Sequence, residues 1–362
     1  MLPIRKRILF LTLALLLACG LAAIGQQGGK PLRRVVFGSC ADQNEPQPIW
    51  NSILAAKPDI FLAIGDIVYV NDGWEKHSDR VAAYAKLSAI PGFARLRRAV
   101  PLLAIWDDGE FGANDGGGDF QRRDEFRADF LDFLGEPKDS PRRTRSGIYD
   151  AKVFGPQGMR VQIILLDMRF NRSALKRGNF SEDEGRYLPD PDPAKTMLGA
   201  EQWKWLESQL RLPAEIRLLV SSIQVIPEDH HWETWANLPL ERQRLFQLIC
   251  ATDARGVLFL SGDRHLAELS MMDGGVGYPL FDLTSSGLNK AHHEKWRPQE
   301  PNRHRVATMN VGDNFGVVEI DWNPADPRIS LQIRDVDGDI TTQRKIPLSL
   351  LRPGAIRTAG QP

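Results

Sequence analysis

Residues 60–69 read IFLAIGDIVY, which is a run of five apolar residues followed by a short turn with an acidic side chain. A continuous apolar run of this length predicts a β-strand that is buried on both faces, as in a parallel sheet. Gly65 and Asp66 follow at once and predict a turn at the carboxyl end of that strand. This stretch therefore predicts a buried sheet that carries a polar group at its edge.

The same arrangement recurs along the chain. Six apolar runs predict strands: Val35–Phe37, Ile60–Ile64, Val100–Ile105, Val161–Leu166, Leu218–Val220 and Val257–Leu260. Five intervening stretches predict helices: Pro48–Ala56, Asp79–Leu87, Gln121–Leu134, Ala200–Leu210 and Leu240–Thr252. This alternation is typical of an α/β fold built from βαβ units.

The last hundred residues have a different pattern. Phe281–Thr284, Phe315–Asp321, Ile329–Arg334 and Ile340–Ile346 predict strands joined by turns, without long helices. We therefore predict a mixed sheet that is completed by a C-terminal β meander. The polar, Pro-rich stretch Asn171–Thr196 predicts a long loop over the surface or the site.

Composition narrows the class of protein. The chain has 362 residues, of which 42% are hydrophobic, and 46 basic groups balance 46 acidic ones. This apolar content is too high for a disordered chain and supports a sizeable core. Zero net charge argues against a specific nucleic-acid partner. The three cysteines are too few and too widely spaced for a disulfide framework.

The first 25 residues predict an export signal. Arg5–Arg7 is basic, and an uncharged run rich in Leu and Ala extends from Ile8 to Ile24. Three outcomes stay open: a lipid anchor on Cys19 after a lipobox-like LLAC, ordinary cleavage after Ala23 or Gly25, and an uncleaved N-terminal anchor. We expect a protein exported to the periplasm or outer envelope, with a linker at 26–32, a single domain at 33–350 and a tail at 351–362.

Polar side chains gather at the carboxyl ends of the predicted strands, where ligands bind in open α/β sheets. Asp66, Asp107, Asp108 and Asp263 would crowd carboxylates into one crevice, where they repel one another unless a cation lies among them. Cys40 and His265 add softer ligands that suit a transition metal. Two unlike metals sharing a carboxylate can activate water against a phosphoryl group, and Arg169 offers a fork that matches phosphate oxygens.

Six motifs in this order resemble the alkaline phosphatase D (PhoD-like) branch of the calcineurin-like metallophosphoesterases. They are FGSC (Phe37–Cys40), GDIVY (Gly65–Tyr69), WDDGEFGAND (Trp106–Asp115), LDMR (Leu166–Arg169), LGAEQWKWLESQL (Leu198–Leu210) and SGDRH (Ser261–His265). The resemblance extends from about residue 33 to residue 321. It implies an αββα four-layer sandwich and hydrolysis of phosphate mono- or diesters.

The resemblance also implies roles for individual residues. Ferric iron would be held by four side chains, and these are Cys40, Asp66, Tyr69 and His265. Asp66 would bridge to a second metal held by Asp108 and Asp263, which is calcium by resemblance, with manganese, magnesium or zinc as alternatives. Asn114 would help to bind metal or phosphate, and Arg169 would hold the phosphate. Gln224 occupies the place of a further ligand.

One position departs from the family. Related chains commonly read Asp-Asp-His in the third motif, and here Gly109 follows Asp108. The absent imidazole is expected to stabilise the transition state or protonate the leaving group, and loss of a general acid costs about 10²–10⁴-fold in rate. The candidate substitutes are Glu110, Asp107, His230, His231, His292 and His293. The alternative function is a weakened or inert protein of the same fold that binds a phosphorylated ligand in the cell envelope.

Overall fold

The computed structural model describes residues 26–27, 29–70, 76–180, 185–292 and 300–355. Its strands are β1 (Gln26–Gln27), β2 (Arg34–Gly38), β3 (Ile60–Ile64), β4 (Leu102–Ile105), β5 (Asp150–Phe154), β6 (Val161–Leu165), β7 (Lys176–Arg177), β8 (Tyr187–Leu188), β9 (Ile216–Val220), β10 (Val257–Ser261), β11 (Ala267–Asp273), β12 (Pro279–Ser285), β13 (Asn314–Asp321), β14 (Arg328–Asp335) and β15 (Ile340–Pro347). Its helices are α1 (Ile49–Ala55), α2 (His77–Ala89), α3 (Pro91–Ala99), α4 (Asp108–Phe111), α5 (Arg123–Leu134), α6 (Gly199–Leu210) and α7 (Pro239–Ala251).

Two mixed sheets form the centre of the molecule. The first has seven strands in the order β1-β5-β6-β9-β10-β12-β11, and its middle strands β6, β9, β10 and β12 are parallel. The second has six strands in the order β15-β14-β13-β2-β3-β4, in which β2, β3 and β4 are parallel and β13–β15 form an antiparallel meander. Strands β3, β6, β9 and β10 are buried along their whole length, as the apolar runs predict.

Helices cover the outer face of each sheet. On the six-stranded sheet, Trp50 of α1 packs edge-on against Phe61 of β3, with ring centroids 5.6 Å apart. On the seven-stranded sheet, Phe246 of α7 packs against Phe259 of β10 at 6.4 Å. The ends of β2 and β12 meet through a bridge between Ser39 and Ser286, which joins the two sheets beside their carboxyl ends.

These observations confirm the predicted α/β sandwich with a mixed sheet and a C-terminal β meander, and they show that both of its sheets are mixed. Phe281–Thr284 belongs to the seven-stranded sheet, because β12 pairs in parallel with β10 and lies outside the meander. Helix α3 and strands β5 and β11 are not among the predicted elements. Helix α3 begins at Pro91, a residue that the first turn of a helix tolerates although its Pro-Gly sequence resembles a turn.

The predicted loop Asn171–Thr196 contains the short hairpin β7–β8 and is otherwise irregular where it is described. In the predicted linker, Gln26 and Gln27 pair in parallel with β5. The export signal at residues 1–25 lies outside the described residues. Within the described ranges, no helix is long and apolar enough to cross a membrane.

Candidate metal centre

The carboxyl ends of the parallel strands carry the predicted ligands, and the backbone bends sharply there. Cys40 follows β2, Asp66 follows β3, and Asp263 and His265 follow β10. All four have left-handed backbones, with φ values of 60°, 53°, 70° and 54° respectively. Non-glycine residues adopt this conformation at a cost, and such strain is concentrated at functional sites. The turns therefore bring these side chains towards one place, and the backbone is strained as a result.

Three of these side chains form a compact cluster, which we call the thiol cluster. One donor atom each from Cys40, Asp66 and His265 lies within 4.8 Å of the others. Cys40 Sγ is 3.9 Å from Asp66 Oδ2 and 3.0 Å from the hydroxyl of Ser286. The Tyr69 hydroxyl lies 3.4 Å from His265 Nε2, so the fourth predicted iron ligand is beside the other three.

Burial makes charge on this cluster costly. Desolvation and the neighbouring Asp66 raise the pKa of the Cys40 thiol well above its ordinary value. Desolvation and the nearby Asp108 raise the pKa of Asp66 in the same way. Desolvation lowers the pKa of His265 to about 3, so its imidazole is neutral at pH 7 and can offer a lone pair. The cluster is therefore a set of buried donors whose ionised acids are disfavoured by burial and by their mutual repulsion.

A second group of acids, the carboxylate cluster, consists of Asp108, Asp115 and Glu233, whose oxygens lie within 4.8 Å of one another. The Asp115 N–H donates to Asp108 Oδ2 at 2.8 Å. Asp263, the predicted partner of Asp108, is not in this group, although Asp107, Glu233 and Asp108 all act electrostatically on it. Burial and then Asp107 raise the pKa of Asp263 well above its usual range.

Arg169 is brought to the site but is enclosed there. Its side chain has 0% exposure. Its Nε donates to Asp107 Oδ1 at 2.5 Å, and its Nη1 donates to Glu233 Oε1 at 3.0 Å. Arg172 contacts the same Glu233 carboxylate at 2.7 Å. Both guanidinium groups thus neutralise acids in the structure, and the phosphate-binding role of Arg169 stays a prediction.

Two other predicted residues are separate from the clusters. Asn114 lies exposed in the turn after α4, and the neighbouring Asp115 is the residue that joins the carboxylate cluster. The Gln224 amide donates to Glu268 at 2.8 Å and to Thr284 at 2.9 Å. Gln224 therefore belongs to a buried polar network.

Glu110 fixes the turn that carries Asp66. Its two carboxylate oxygens accept hydrogen bonds from four backbone N–H groups, those of Asp66 (2.9 Å), Ile67 (2.5 Å), Val68 (3.1 Å) and Asp107 (2.9 Å). Burial raises the pKa of Glu110 to about 7, while the four donors favour its ionised form. Because both oxygens are occupied, Glu110 positions the ligand turn and has no acceptor free for a substrate.

Gly109 lies against Asp66. Its N–H donates to Asp66 Oδ1 at 2.8 Å. A Cβ at this position would lie 2.6 Å from the same oxygen and 3.1 Å from the Val68 carbonyl oxygen. The absence of a side chain here thus lets the backbone approach Asp66 closely.

The remaining candidate substitutes for the absent imidazole are histidines with different environments. The sequence favours exposed loop histidines, but His230 is buried and its Nε2 lies 2.9 Å from Gln224 Oε1. His231 stacks on Phe180 with ring centroids 4.0 Å apart. The His292 ring lies 5.3 Å from the His265 ring, beside the thiol cluster. His293 lies outside the described residues.

The family model for PhoD-like phosphatases matches residues 35–325. The chain belongs to the PhoD-like phosphatase family. A solved structure of PhoD superposes with a TM-score of 0.64 at 17% identity, covering 88% of this chain and 72% of that one, so the fold is shared. A comparison with curated protein sequences finds no significant match.

Two further solved structures are similar at lower scores. The 5′-nucleotidase precursor from Thermus thermophilus has a TM-score of 0.40 at 14% identity, covering 90% of this chain and 57% of that one. The protein TT1561 from the same organism has a TM-score of 0.36 at 12% identity, covering 88% of this chain and 99% of that one. Membership of the PhoD-like family implies bound metal ions, and the two clusters supply candidate ligands for them.

Sequence reasoning missed two residues that complete the carboxylate cluster. Asp115 closes the motif that contains Asp108, and its place beside Asp108 was the available indication. Glu233 lies near the far end of the long loop that follows β9, so nothing local distinguishes it from a surface acid.

Proposed function

We propose that this PhoD-like phosphatase is an exported, metal-dependent phosphoesterase that hydrolyses phosphate mono- or diesters by activating water. The observation that carries the proposal is the thiol cluster, in which Cys40, Asp66 and His265 donors converge within 4.8 Å and the Tyr69 hydroxyl adjoins them. Thiolate, phenolate and carboxylate donors with one imidazole suit ferric iron. Carboxylate oxygens suit calcium, which we propose for the second position.

The residues present fit such metal ions. Asp107 Oδ2 is buried and accepts no hydrogen bond within the described part of the chain. Cys40 and Asp66 are buried acids whose ionised forms burial disfavours. A multivalent cation among these groups would offset both the desolvation and the mutual repulsion. When bound, it would supply Lewis-acid activation of water and neutralise charge on a phosphoryl group.

Asp66 is the residue best placed to join the two metal positions. Its Oδ2 faces Cys40 at 3.9 Å, while its Oδ1 faces the turn at Gly109, which follows Asp108 in the carboxylate cluster. Glu110 holds the Asp66 backbone in place through its hydrogen bonds to the ligand turn. Because Asp66 is already held in place, little rearrangement would be needed when it binds the metal ions. Such preorganised charge favours catalysis.

A second candidate function is a nearly inactive protein that binds a phosphorylated ligand. The observation in its favour is Gly109, which lacks the usual imidazole and where even a Cβ would lie 2.6 Å from Asp66 Oδ1. We favour the enzyme, because each of the predicted ligands Cys40, Asp66, Tyr69 and His265 lies in the thiol cluster or directly beside it.

Steady-state hydrolysis of an aryl phosphate monoester and diester, with iron and calcium supplied, tests the proposal. Asp66→Asn should abolish turnover, because it removes the charge shared by both metal positions. Asp253→Asn is a matched control, since Asp253 has a similar left-handed φ of 49° but lies exposed and pairs with Arg255. Turnover that survives Asp66→Asn contradicts the assigned centre, and metal binding without any turnover supports the binding protein.

Export is the second element of the proposal and rests on the sequence at residues 5–24. Expression of the full chain in a bacterial host, followed by cell fractionation and intact-mass measurement, tests it. Lipidation predicts a membrane-bound product with an acylated N-terminus, and Cys19→Ser should abolish the acylation. Ordinary cleavage predicts a soluble product for both chains, and an uncleaved N-terminal anchor predicts a membrane-bound product of unprocessed mass for both. Retention of an unprocessed chain in the cytoplasm contradicts export.

A further inference from the structure

We propose that Lys290 binds the phosphate oxygens of the substrate at the mouth of the metal centre, an inference that rests on the proposed phosphoesterase function. The Lys290 ammonium lies 3.4 Å from the centroid of the Tyr69 ring. Tyr69 in turn places its hydroxyl 3.4 Å from His265 Nε2. A cation therefore stands over the ring of a predicted ligand, at the edge of the thiol cluster, and no sequence motif pointed to it.

The backbone on both sides of Lys290 is attached to the ligand turns. The Leu288 and Asn289 N–H groups donate to the carbonyl oxygens of Ser39 and Cys40, at 3.0 and 3.3 Å. Beyond Lys290, the His292 N–H donates to the His265 carbonyl oxygen at 2.9 Å. Segment 288–292 thus runs from one ligand turn to the other, and it holds Lys290 beside both.

The arginines near the clusters are already engaged. Arg169 and Arg172 are almost fully buried and bind Glu233, and Arg264 is buried and bound to Glu300. Arg186 is exposed but donates to Asp115, on the side of the carboxylate cluster. Lys290, by contrast, is partly exposed and lies at the edge of the thiol cluster.

Lys290 also has a donor to offer. Its side chain is 37% exposed, and its carboxylate partner Asp42 lies 3.6 Å away, which is a loose ion pair. Asp42 itself accepts the Asn44 N–H at 2.9 Å, so part of its acceptor capacity is used. An ammonium carries three donors, and the pair with Asp42 and the contact with the Tyr69 ring leave a donor for a phosphate oxygen. Such charge-assisted hydrogen bonds are among the stronger polar contacts in proteins.

Lys290→Met tests this inference, and Lys152→Met is its matched control. Lys152 has 39% exposure and a carboxylate partner, Asp150, at 3.2 Å, but it lies on β5, three strands away from β10. The measurement is the dissociation constant of inorganic phosphate, by calorimetric titration of the chain supplied with iron and calcium. The second readout is kcat/KM for the aryl phosphates.

Lys290→Met should weaken phosphate binding by about 10- to 100-fold, the loss of a charge-assisted contact, and Lys152→Met should not change it. Lys290→Arg should bind phosphate more tightly than Lys290→Met, because it keeps the charge and its donors. Equal thermal unfolding of the variants and the parent chain shows that folding is intact, and Lys290→Gln serves if the Met variant does not fold.

The outcomes separate this inference from the proposed function. Turnover in the parent chain together with unchanged phosphate binding in Lys290→Met overturns the role of Lys290 and leaves the phosphoesterase standing. Absent turnover with phosphate binding that depends on Lys290 overturns the phosphoesterase and leaves an anion site at Lys290. If the parent chain binds no phosphate at all, the inference is wrong.

Discussion

A methyl group at residue 109 should disable the centre, because it would occupy space that Asp66 already uses. The Cβ of Gly109→Ala would lie 2.6 Å from Asp66 Oδ1, whereas an ordinary contact is at least 3.4 Å. The Cβ or the carboxylate must therefore move by about 0.8 Å, the difference between these two distances. Asp66 is buried and its turn is held by Glu110. We expect overpacking to cost about 1–3 kcal/mol of unfolding free energy.

The effect on rate should be larger than the effect on stability. A displacement of about 1 Å in a catalytic group can reduce the rate by about 10²-fold, and Asp66 is the proposed shared ligand. We therefore expect kcat/KM for an aryl phosphate to fall about 10²-fold in Gly109→Ala. The assay is steady-state hydrolysis at saturating metal, with urea unfolding of the same preparation to separate catalysis from folding.

Gly312→Ala is the matched control. The Gly312 N–H donates to the side-chain oxygen of Asn310 at 2.9 Å, as the Gly109 N–H donates to Asp66 at 2.8 Å. A Cβ at Gly312 would lie 3.5 Å from that oxygen, which is an ordinary distance. Gly312→Ala should leave rate and stability close to those of the parent chain. The reasoning is refuted if Gly109→Ala behaves like this control, or if Gly109→His raises turnover.

Three further perturbations test the buried charges of the site. Glu110→Gln should lower the unfolding free energy by about 2–3 kcal/mol in urea denaturation, because an NH₂ group would replace an oxygen that accepts two backbone N–H bonds; a change within error would mean that these bonds contribute little. Arg169→Met should cost about 3–5 kcal/mol, since Asp107 would lose its buried guanidinium partner and Glu233 would keep only Arg172; a variant as stable as the parent chain but defective in phosphate binding would show instead that Arg169 serves to bind phosphate. Burial lowers the pKa of His230 from 6.5 to about 4, so the unfolded chain binds more protons than the folded chain between these pH values. The unfolding free energy should therefore fall by up to ~3 kcal/mol as pH drops from 6.5 to 4. His230→Gln should remove this part of the pH dependence, and an unchanged slope would mean that another group titrates.

The sequence predicted the thiol cluster better than the carboxylate cluster, for a physical reason. Cys40, Asp66 and His265 each follow an apolar run that forms a parallel strand, and parallel strands present their carboxyl ends at the same edge. Glu233 lies near the far end of the long loop that follows β9, and it reaches the site through the packing of that loop. Such loop positions depend on tertiary contacts that no local pattern reports.

The sequence also does not predict how deeply each charged residue is buried or which partners neutralise it. Arg169 and Lys290 are both cations near predicted ligands, and only the folded chain shows that Arg169 is enclosed by acids while Lys290 is partly exposed. From its place in the motif, Glu110 is a candidate proton donor. The structure shows that both its oxygens bind the backbone of neighbouring turns.

The buried parallel strands, their alternation with helices and the polar residues that end them follow from the sequence alone, because apolar runs and turn residues act locally. The pairing of β12 with β10, the approach of Glu233 to Asp108 and the contact of Gly109 with Asp66 are visible only in the folded chain. These outcomes depend on strand pairing and loop packing between residues that are far apart in the chain. The free energy of a buried charge depends on which partners that packing brings to it.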